Sequence, residues 1–249
     1  MQPTFMPWIG YFDLMNRVDT FVYLDNVKFS KQSWQQRNRI KTPNGYQWIT
    51  IPVSFSEQEK TQIIDANISM SSIVRKQIRA IDINYHKAPF FGKYFPRIKE
   101  ILNDIKTGTK LIDINVTIIE WICNELKIKT KCCFASDIVT STSRGQRLVS
   151  ICNNLNADNY LSPLGSVNYL KDETSDFYNS NISIYIHNFI HPVYTQLYPP
   201  FLSHCSALDL LMNEGEDSMK IIQSGHRDHV LFDDIYNKKS TIDNLNRHV

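Results

Sequence analysis

The sequence predicts an α/β fold with a mostly parallel sheet and a helical insertion between the two halves of that sheet. Short β-rich runs alternate with longer segments of helical apolar spacing, which is typical of strands joined by crossover helices. Three consecutive helical patterns interrupt this alternation, at residues 71–84, 89–106 and 110–126. The predicted division is an α/β core at 1–70 and 128–215, a helical insertion at 71–127, and a polar or helical tail at 216–249.

Each remaining element is predicted from local residue patterns. Apolar residues at helical spacing over residues 9–17 predict a short helix, and Pro7 suits the turn before it. The turn signal Pro43-Asn44-Gly45 precedes a predicted strand whose end is marked by Pro52. The predicted strands lie at 20–24, 46–53, 131–135, 159–161 and 182–189, and further helices at 143–155, 167–170 and 206–212.

Composition limits the function classes. The chain has 249 residues, 42% of them apolar, and a net charge of +2 with its basic residues dispersed, which argues against a nucleic-acid surface. No run of about 18 apolar residues and no signal peptide are present, so we expect a cytoplasmic protein without a membrane span. Five cysteines without a CxxC pair argue against a zinc knuckle or a disulfide framework and favour free buried thiols.

Four segments carry candidate chemistry, and the first is the N-terminus. Ligands of such sheets bind beyond the carboxyl ends of strands, so a strand–turn–helix here would present its turn to a ligand. Gly10 allows close backbone approach at a helix start, where free N–H groups suit phosphate. Gln2 is a candidate catalytic donor. The candidate binding residues here are Pro7, Trp8, Gly10 and Tyr11.

The second segment follows the strand that ends at Asp25. A carboxylate at a strand end can hold a metal, a hydroxyl or an amine, so Asp25 is a second catalytic candidate. Cations at three-residue intervals suit a phosphate, with arginine binding bidentately and lysine as a point charge. The candidate binding residues are Lys28, Lys31, Trp34, Arg37 and Asn38.

The third segment is a Ser/Gly loop between a predicted strand and a predicted helix, a common phosphate or ribose cradle. Its candidate binding residues are Ser162, Gly165 and Tyr169. The loop matches neither a Walker A motif nor the G-x-S-x-G elbow of hydrolases.

The fourth segment begins at His191, a third catalytic candidate as a general base or phosphate ligand. Tyr194 and Gln196 are binding candidates beside it. The histidines lack partners at metal-ligand spacing, so we expect no structural metal. All four segments also have a structural interpretation, as a strand-to-helix turn, a solvated charged loop, an ordinary turn and a hydrogen-bonded core histidine.

Taken together, these segments resemble the WbqC-like family of bacterial surface-polysaccharide proteins. The similarity covers most of residues 1–215, and the N-terminal segment is its most specific part. It continues through Trp48-Ile49-Thr50-Ile51-Pro52-Val53, His191-Pro192, Leu202-Ser203 and Asp209-Leu210-Leu211. Similar proteins more often have Gln at the position of Lys28. They also usually carry a short apolar strand before the Gln-Pro motif, whereas this sequence starts at the motif, so a start upstream of Met1 is left open.

The resemblance implies a role in O-antigen or related surface-polysaccharide synthesis. It implies ATP-dependent transfer of an amino acid, with glycine first, onto the amino group of a nucleotide-linked amino sugar, in a nucleotidyltransferase-like, Rossmann-like core. ATP with Mg²⁺ would be the cofactor, and the partners would be small molecules, with a homodimer left open. The alternatives are an acyltransferase that uses a preformed thioester, and a non-catalytic protein that binds sugar nucleotides.

Overall fold

The computed structural model describes residues 1–56, 60–138 and 144–237, which form a mixed α/β protein. The predicted α/β class is confirmed. No helix in this part of the chain is long and apolar enough to cross a membrane. The described chain divides into two compact units, one of residues 1–132 and 191–224, the other of residues 133–190 and the part of 225–249 that is described.

The first unit contains short strands and most of the long helices. Its strands are β1 (Thr20–Tyr23), β2 (Arg37–Thr42), β3 (Gly45–Thr50), β4 (Val53–Ser54) and β5 (Asn67–Ile68). Its helices are α1 (Ile9–Asn16), α2 (Val74–Tyr85), α3 (Phe91–Asn103), α4 (Leu111–Glu125), α8 (Ala207–Glu214) and α9 (Ser218–Ser224). Helices α2, α3 and α4 lie within residues 71–127, in the same unit as residues 1–70, and the division into a core and a helical insertion stays a prediction.

Small antiparallel pairs form the sheets of this unit. β2 and β3 make a hairpin in which Arg39 lies opposite Trp48, and β4 pairs with β5. No strand was predicted at residues 37–42, and the segment from Asp25 to Asn38, which has a charged loop as its structural interpretation, ends on β2 at Arg37 and Asn38. The turn of the hairpin contains Gly45 at φ 113°, a left-handed conformation that glycine adopts without strain.

The strand expected before the N-terminal turn is absent as an element, since residues 1–7 form neither strand nor helix. Met1 nevertheless bonds beside Tyr23 as in a parallel ladder, donating to Val22 O at 2.8 Å and accepting from Leu24 N at 2.8 Å. The ladder stops because Pro3 has no N–H to donate.

The second unit contains a small sheet and short helices. Its elements are α5 (Arg144–Asn154), β7 (Asn159–Ser162), α6 (Val167–Leu170), α7 (Thr174–Asn179), β8 (Ser183–Ile186), β9 (Val230–Leu231) and α10 (Phe232–Asn237). β6 (Lys131–Phe134) lies where the chain passes from the first unit to the second. β7 and β8 are parallel, and β9 is antiparallel to β8. A larger nucleotidyltransferase-like sheet stays a prediction.

The predicted helix 143–155 begins at Ser143, which lies outside the described residues. None of the five cysteines, which all lie in the described ranges, forms a disulfide bond, but Cys132 is exposed and Cys133 is half-buried, so the expectation of buried thiols is wrong for these two. Residues 132 and 133 lie on a strand that leaves their side chains partly open to solvent.

Candidate functional site

The N-terminal turn is held from three sides inside the first unit. Asn115 Nδ2 donates to the carbonyl of Pro3 at 3.1 Å, and Asn38 Nδ2 donates to the carbonyls of Phe5 and Met6 at 3.2 and 2.7 Å. Met6 has φ 47°, a left-handed conformation that these bonds stabilise. The carbonyl of Pro7 accepts from Ala207 N at 2.8 Å. The turn is therefore a fixed platform for Trp8.

Trp8 lies directly on helix α1. A Cβ added at Gly10 would be 2.2 Å from Cη2 of the indole, so only glycine permits this approach. The half-buried indole ring stacks near His191, with ring centroids 6.0 Å apart, and lies 4.8 Å from the ring of His204. Phe201 lies 5.7 Å from His191. We name the five ring-bearing residues Trp8, His191, Tyr194, Phe201 and His204 the Trp8 cluster.

Both ring nitrogens of His191 have partners. Nδ1 lies 2.9 Å from the carbonyl of Pro192, to which it donates, and Nε2 accepts from the backbone N–H of His204 at 3.1 Å. Burial lowers the pKa of His191 to about 4, so the imidazole is neutral near pH 7. Its proton-accepting lone pair is thus already occupied, and the geometry gives His191 a positioning role.

His204 was passed over at the sequence level, yet it is the more open histidine. Its Nδ1 lies 2.8 Å from Ser203 Oγ, and Nε2 has no partner among the residues that the structure describes. Burial, and then the charge of Arg39, lower the pKa of His204. The residue has φ 60°, a strained conformation for a non-glycine residue and one that concentrates at functional sites.

A buried carboxylate supports the Trp8 cluster from behind. Asp209, in the first turn of α8, accepts from Tyr85 Oη and Tyr194 Oη at 2.7 Å and from Gln196 Nε2 at 2.8 Å. Burial raises the pKa of Asp209, while these donors and the charge of buried Lys41 lower it. We name these five residues the Asp209 network.

Gln196 also fixes the loop that carries the histidines. Its Nε2 donates to Leu202 O at 2.9 Å and its Oε1 accepts from Leu202 N at 2.8 Å. Tyr194 and Gln196, predicted as ligand contacts, thus order this loop against α8.

Cations and aromatic rings share one face of the β2–β3 hairpin. Arg37 lies over the ring of Trp48 at 4.2 Å, and Arg39 lies 5.6 Å from Trp34 and 5.3 Å from Tyr46. We name these five residues the hairpin face. Arg39 also donates through Nη2 to the carbonyl of His204 at 3.2 Å, which connects the face to the Trp8 cluster. The sequence pattern singled out Trp34 and Arg37 of this face and missed the other three.

The remaining predicted residues have mixed environments. Gln2 Oε1 accepts from Gln35 Nε2 at 2.9 Å, and its own Nε2 has no partner within the described part of the chain. Asp25 is buried at the end of β1. Tyr11 is buried and donates to the carbonyl of Gln2 at 3.3 Å. Lys28 and Lys31 are exposed, and Lys31 lies 5.8 Å from the ring of Phe55.

The predicted Ser/Gly loop belongs to the second unit. Ser162 is buried at the end of β7, and its hydroxyl bonds that of Ser166, which donates to the carbonyl of Pro163 at 2.5 Å. Gly165 is exposed, and the side chain of Tyr169 lies outside the described part of the structure. Within the described ranges, no group of three His, Cys, Asp or Glu side chains could hold a metal ion.

Comparisons with known proteins agree with the motifs. No solved structure matches the chain. The chain is similar to the uncharacterized protein Rv1507c of Mycobacterium tuberculosis (strain ATCC 25618 / H37Rv), with 29% identity over 218 residues, covering 88% of this chain and 94% of that protein. The pattern of the WbqC-like protein family matches residues 2–221. The chain therefore belongs to the WbqC-like protein family.

Proposed function

We propose that this protein acts in surface-polysaccharide synthesis, where it attaches an amino acid to the amino group of a nucleotide-linked amino sugar at the expense of ATP. Glycine is the first candidate for the amino acid. Membership of the WbqC-like family is consistent with a role in polysaccharide synthesis. The acyl transfer itself and the use of ATP with Mg²⁺ are our proposals.

The observation that carries the proposal is the Trp8 cluster and its connection to the hairpin face. A half-buried indole offers a stacking surface for a sugar or a base. The neutral imidazole of His204 lies beside the indole. Arg39 of the hairpin face donates a hydrogen bond to the carbonyl of His204, which brings a cation to the same place. An aromatic wall, a proton acceptor and cations are what a phosphate-bearing amino sugar requires of its binding site.

The proposed chemistry explains why a neutral histidine is needed. A free carboxylate is a poor electrophile, so one of its oxygens would first attack the α-phosphorus of ATP, where an O–P bond forms, the bond to pyrophosphate breaks, and the acyl group gains an adenylate leaving group. The sugar amine attacks the carbonyl carbon, a C–N bond forms, the C–O bond to the leaving group breaks, and the amine loses a proton. His204 Nε2 is placed to accept that proton, because it is neutral near pH 7 and has no partner among the described side chains. Gln2 Nε2, which has no partner among the described residues, would orient the acyl oxygen.

The hairpin face suits a phosphate-bearing nucleotide. Arg37 and Arg39 provide planar donors beside aromatic rings, the combination that binds phosphates and bases. Mg²⁺ would enter with ATP and neutralise the charge of its phosphates.

The test is incubation of the protein with ATP, glycine and a panel of UDP- and dTDP-linked amino sugars, read by mass spectrometry. We expect a product that is heavier by one glycyl group and that depends on ATP. We also expect His204→Asn to lower kcat by about 10²-fold or more and to preserve binding of the sugar nucleotide.

Other outcomes select the alternatives. A product that requires an acyl thioester in place of ATP would identify an acyltransferase. Tight binding of sugar nucleotides without any acylated product would identify a binding protein and reject the proposed reaction.

A further inference from the structure

The hairpin face combines unusual exposure of aromatic rings with close cation contacts. Trp34 is 47% exposed and Tyr46 is 49% exposed, although both are large rings that proteins usually bury. The rings of Trp34 and Trp48 lie 5.4 Å apart and those of Tyr46 and Trp48 lie 6.0 Å apart, so the three form one continuous surface. A contiguous aromatic patch of this kind marks a binding site.

The two arginines of this face are incompletely satisfied. The guanidinium of Arg37 has no hydrogen bond or ion pair among the described residues, and its contact is the face of Trp48. Nε of Arg39 is buried without a partner, although Nη2 bonds to His204. None of the ion pairs in the described part of the chain involves either arginine.

Cation–π contact prepares these arginines for an anion. A guanidinium held over an aromatic ring loses rotational freedom but keeps its N–H donors. Such donors match phosphate oxygens bidentately. The β-sheet register places Arg39 directly opposite Trp48, so the cations and rings are fixed by the same backbone ladder.

The charge and the rings together specify the ligand. An anion alone would not need the exposed rings of Trp34 and Tyr46, and a neutral sugar alone would not need two cations without an ion-pair partner among the described residues. We infer that the hairpin face is the subsite for the nucleoside diphosphate part of the sugar nucleotide, with the base stacked on Trp34 and the diphosphate bound by Arg37 and Arg39. This inference rests on the proposed function, and the Arg39–His204 bond would lead from the diphosphate toward the Trp8 cluster.

The experiment measures binding of UDP and dTDP to the whole protein by titration calorimetry, without acyl donor. We expect Trp34→Ala and Arg37→Gln to weaken binding about tenfold to hundredfold, which is the size of one lost stacking or charged contact. Trp34→Phe should retain most of the affinity because it keeps a ring. Arg97→Gln removes an exposed arginine of α3 that pairs with Glu100, and it should bind as the parent does.

Several results would overturn the inference. The first is that the parent protein binds no nucleoside diphosphate. The second is that Trp34→Ala and Arg37→Gln variants, shown by circular dichroism to be folded, bind UDP and dTDP as the parent does. A single-stranded oligonucleotide whose affinity rises with length and which displaces UDP would assign the face to nucleic acid instead.

The two proposals fail separately. A glycylated product with an unchanged KM for the sugar nucleotide in both variants would reject this subsite and leave the proposed function standing. Nucleotide binding that is lost in both variants, together with no acylated product from the parent, would leave this subsite standing and reject the proposed function.

Discussion

The indole ring of Trp8 rests on the backbone of Gly10, where an added methyl group would lie 2.2 Å from Cη2. Non-bonded carbon atoms do not approach so closely, so the position of the indole and the absence of a side chain at residue 10 depend on each other. The position of the indole, and through it the packing against His204, depends on the absence of a side chain at Gly10.

Gly10→Ala should therefore displace Trp8 and lower the free energy of unfolding by about 1–3 kcal/mol, the usual cost of overpacking. Urea unfolding measures it. Gly92→Ala is the matched control, because Gly92 also lies in a helix and nothing surrounds its Cβ position; we expect no loss or a gain of up to about 1 kcal/mol. In a Trp8→Ala background, Gly10→Ala should cost less free energy of unfolding than it does in the parent protein. Equal losses in the two single glycine variants would contradict the close contact.

Asn38→Asp should destabilise the N-terminal turn. The amide donates to two carbonyls, of Phe5 and Met6, and a carboxylate would direct negative oxygens at them in a buried site. We expect a loss of about 2–4 kcal/mol, from two lost bonds and an unpaired buried charge. Asn44→Asp, in the exposed hairpin turn, is the control and should change stability little. Thermal unfolding of the two variants at pH 7.5 would compare them, and equal midpoints would refute the assigned role of Asn38.

Two tyrosines donate hydrogen bonds to aspartates, and removing their hydroxyl groups should lower the free energy of unfolding by different amounts. Tyr85 donates to Asp209 inside the core and accepts from Lys41 N at 2.9 Å, so Tyr85→Phe removes one bond to a buried carboxylate and one from a buried backbone N–H. We expect a loss of about 1.5–3 kcal/mol. Tyr178, 45% exposed, donates to exposed Asp233, and Tyr178→Phe should cost less than about 0.5 kcal/mol. The ratio of the two losses in denaturant unfolding tests the Asp209 network, and losses of similar size would count against it.

Acid should destabilise the protein through His191. Because burial lowers the pKa of this imidazole from 6.5 to about 4, the unfolded chain binds a proton across this range and the folded chain does not. The free energy of unfolding is therefore highest above pH 6.5. It falls by at most about 3 kcal/mol as the pH drops toward 4.

Free energies of unfolding at several pH values between 7.5 and 4.5 would give the slope of stability against pH. His191→Gln should make the slope shallower but not flat, since burial also lowers the pKa of His204. Val193→Ala, at a 77% exposed position of the same loop, should keep the parent slope. An unchanged slope in His191→Gln would show that His191 is not the group that titrates.

Local patterns predicted the elements whose residues repeat at a regular spacing. Helix α1 was predictable because its apolar residues follow the helical period and Pro7 precedes it. β2 was missed because Ile40 is its single apolar residue, and a charged run of this kind is typical of loops. The turn at Asn44-Gly45 was a usable signal, since a strand after such a turn requires an antiparallel partner before it.

The Asp209 network could not have been predicted in the same way. Tyr85 and Asp209 are 124 positions apart and meet through the packing of α2 and α8, which no local spacing encodes. The importance of His204 depends on its φ of 60° and on the partners of His191, both of which are properties of the folded backbone. Folding, and not local spacing, decides which side chains within the predicted segments are open.

The bond between Ala207 N and the carbonyl of Pro7 joins residues that a ribosome makes far apart in time. At roughly 5–20 residues per second, the chain between them takes on the order of 10–40 s to synthesise. During this interval the N-terminal turn is complete but lacks α8 and the loop before it, so Trp8 is without its histidine neighbours. The nascent protein therefore carries an open aromatic surface through most of its translation, and the late-made segment from His191 to Ser224 closes the first unit.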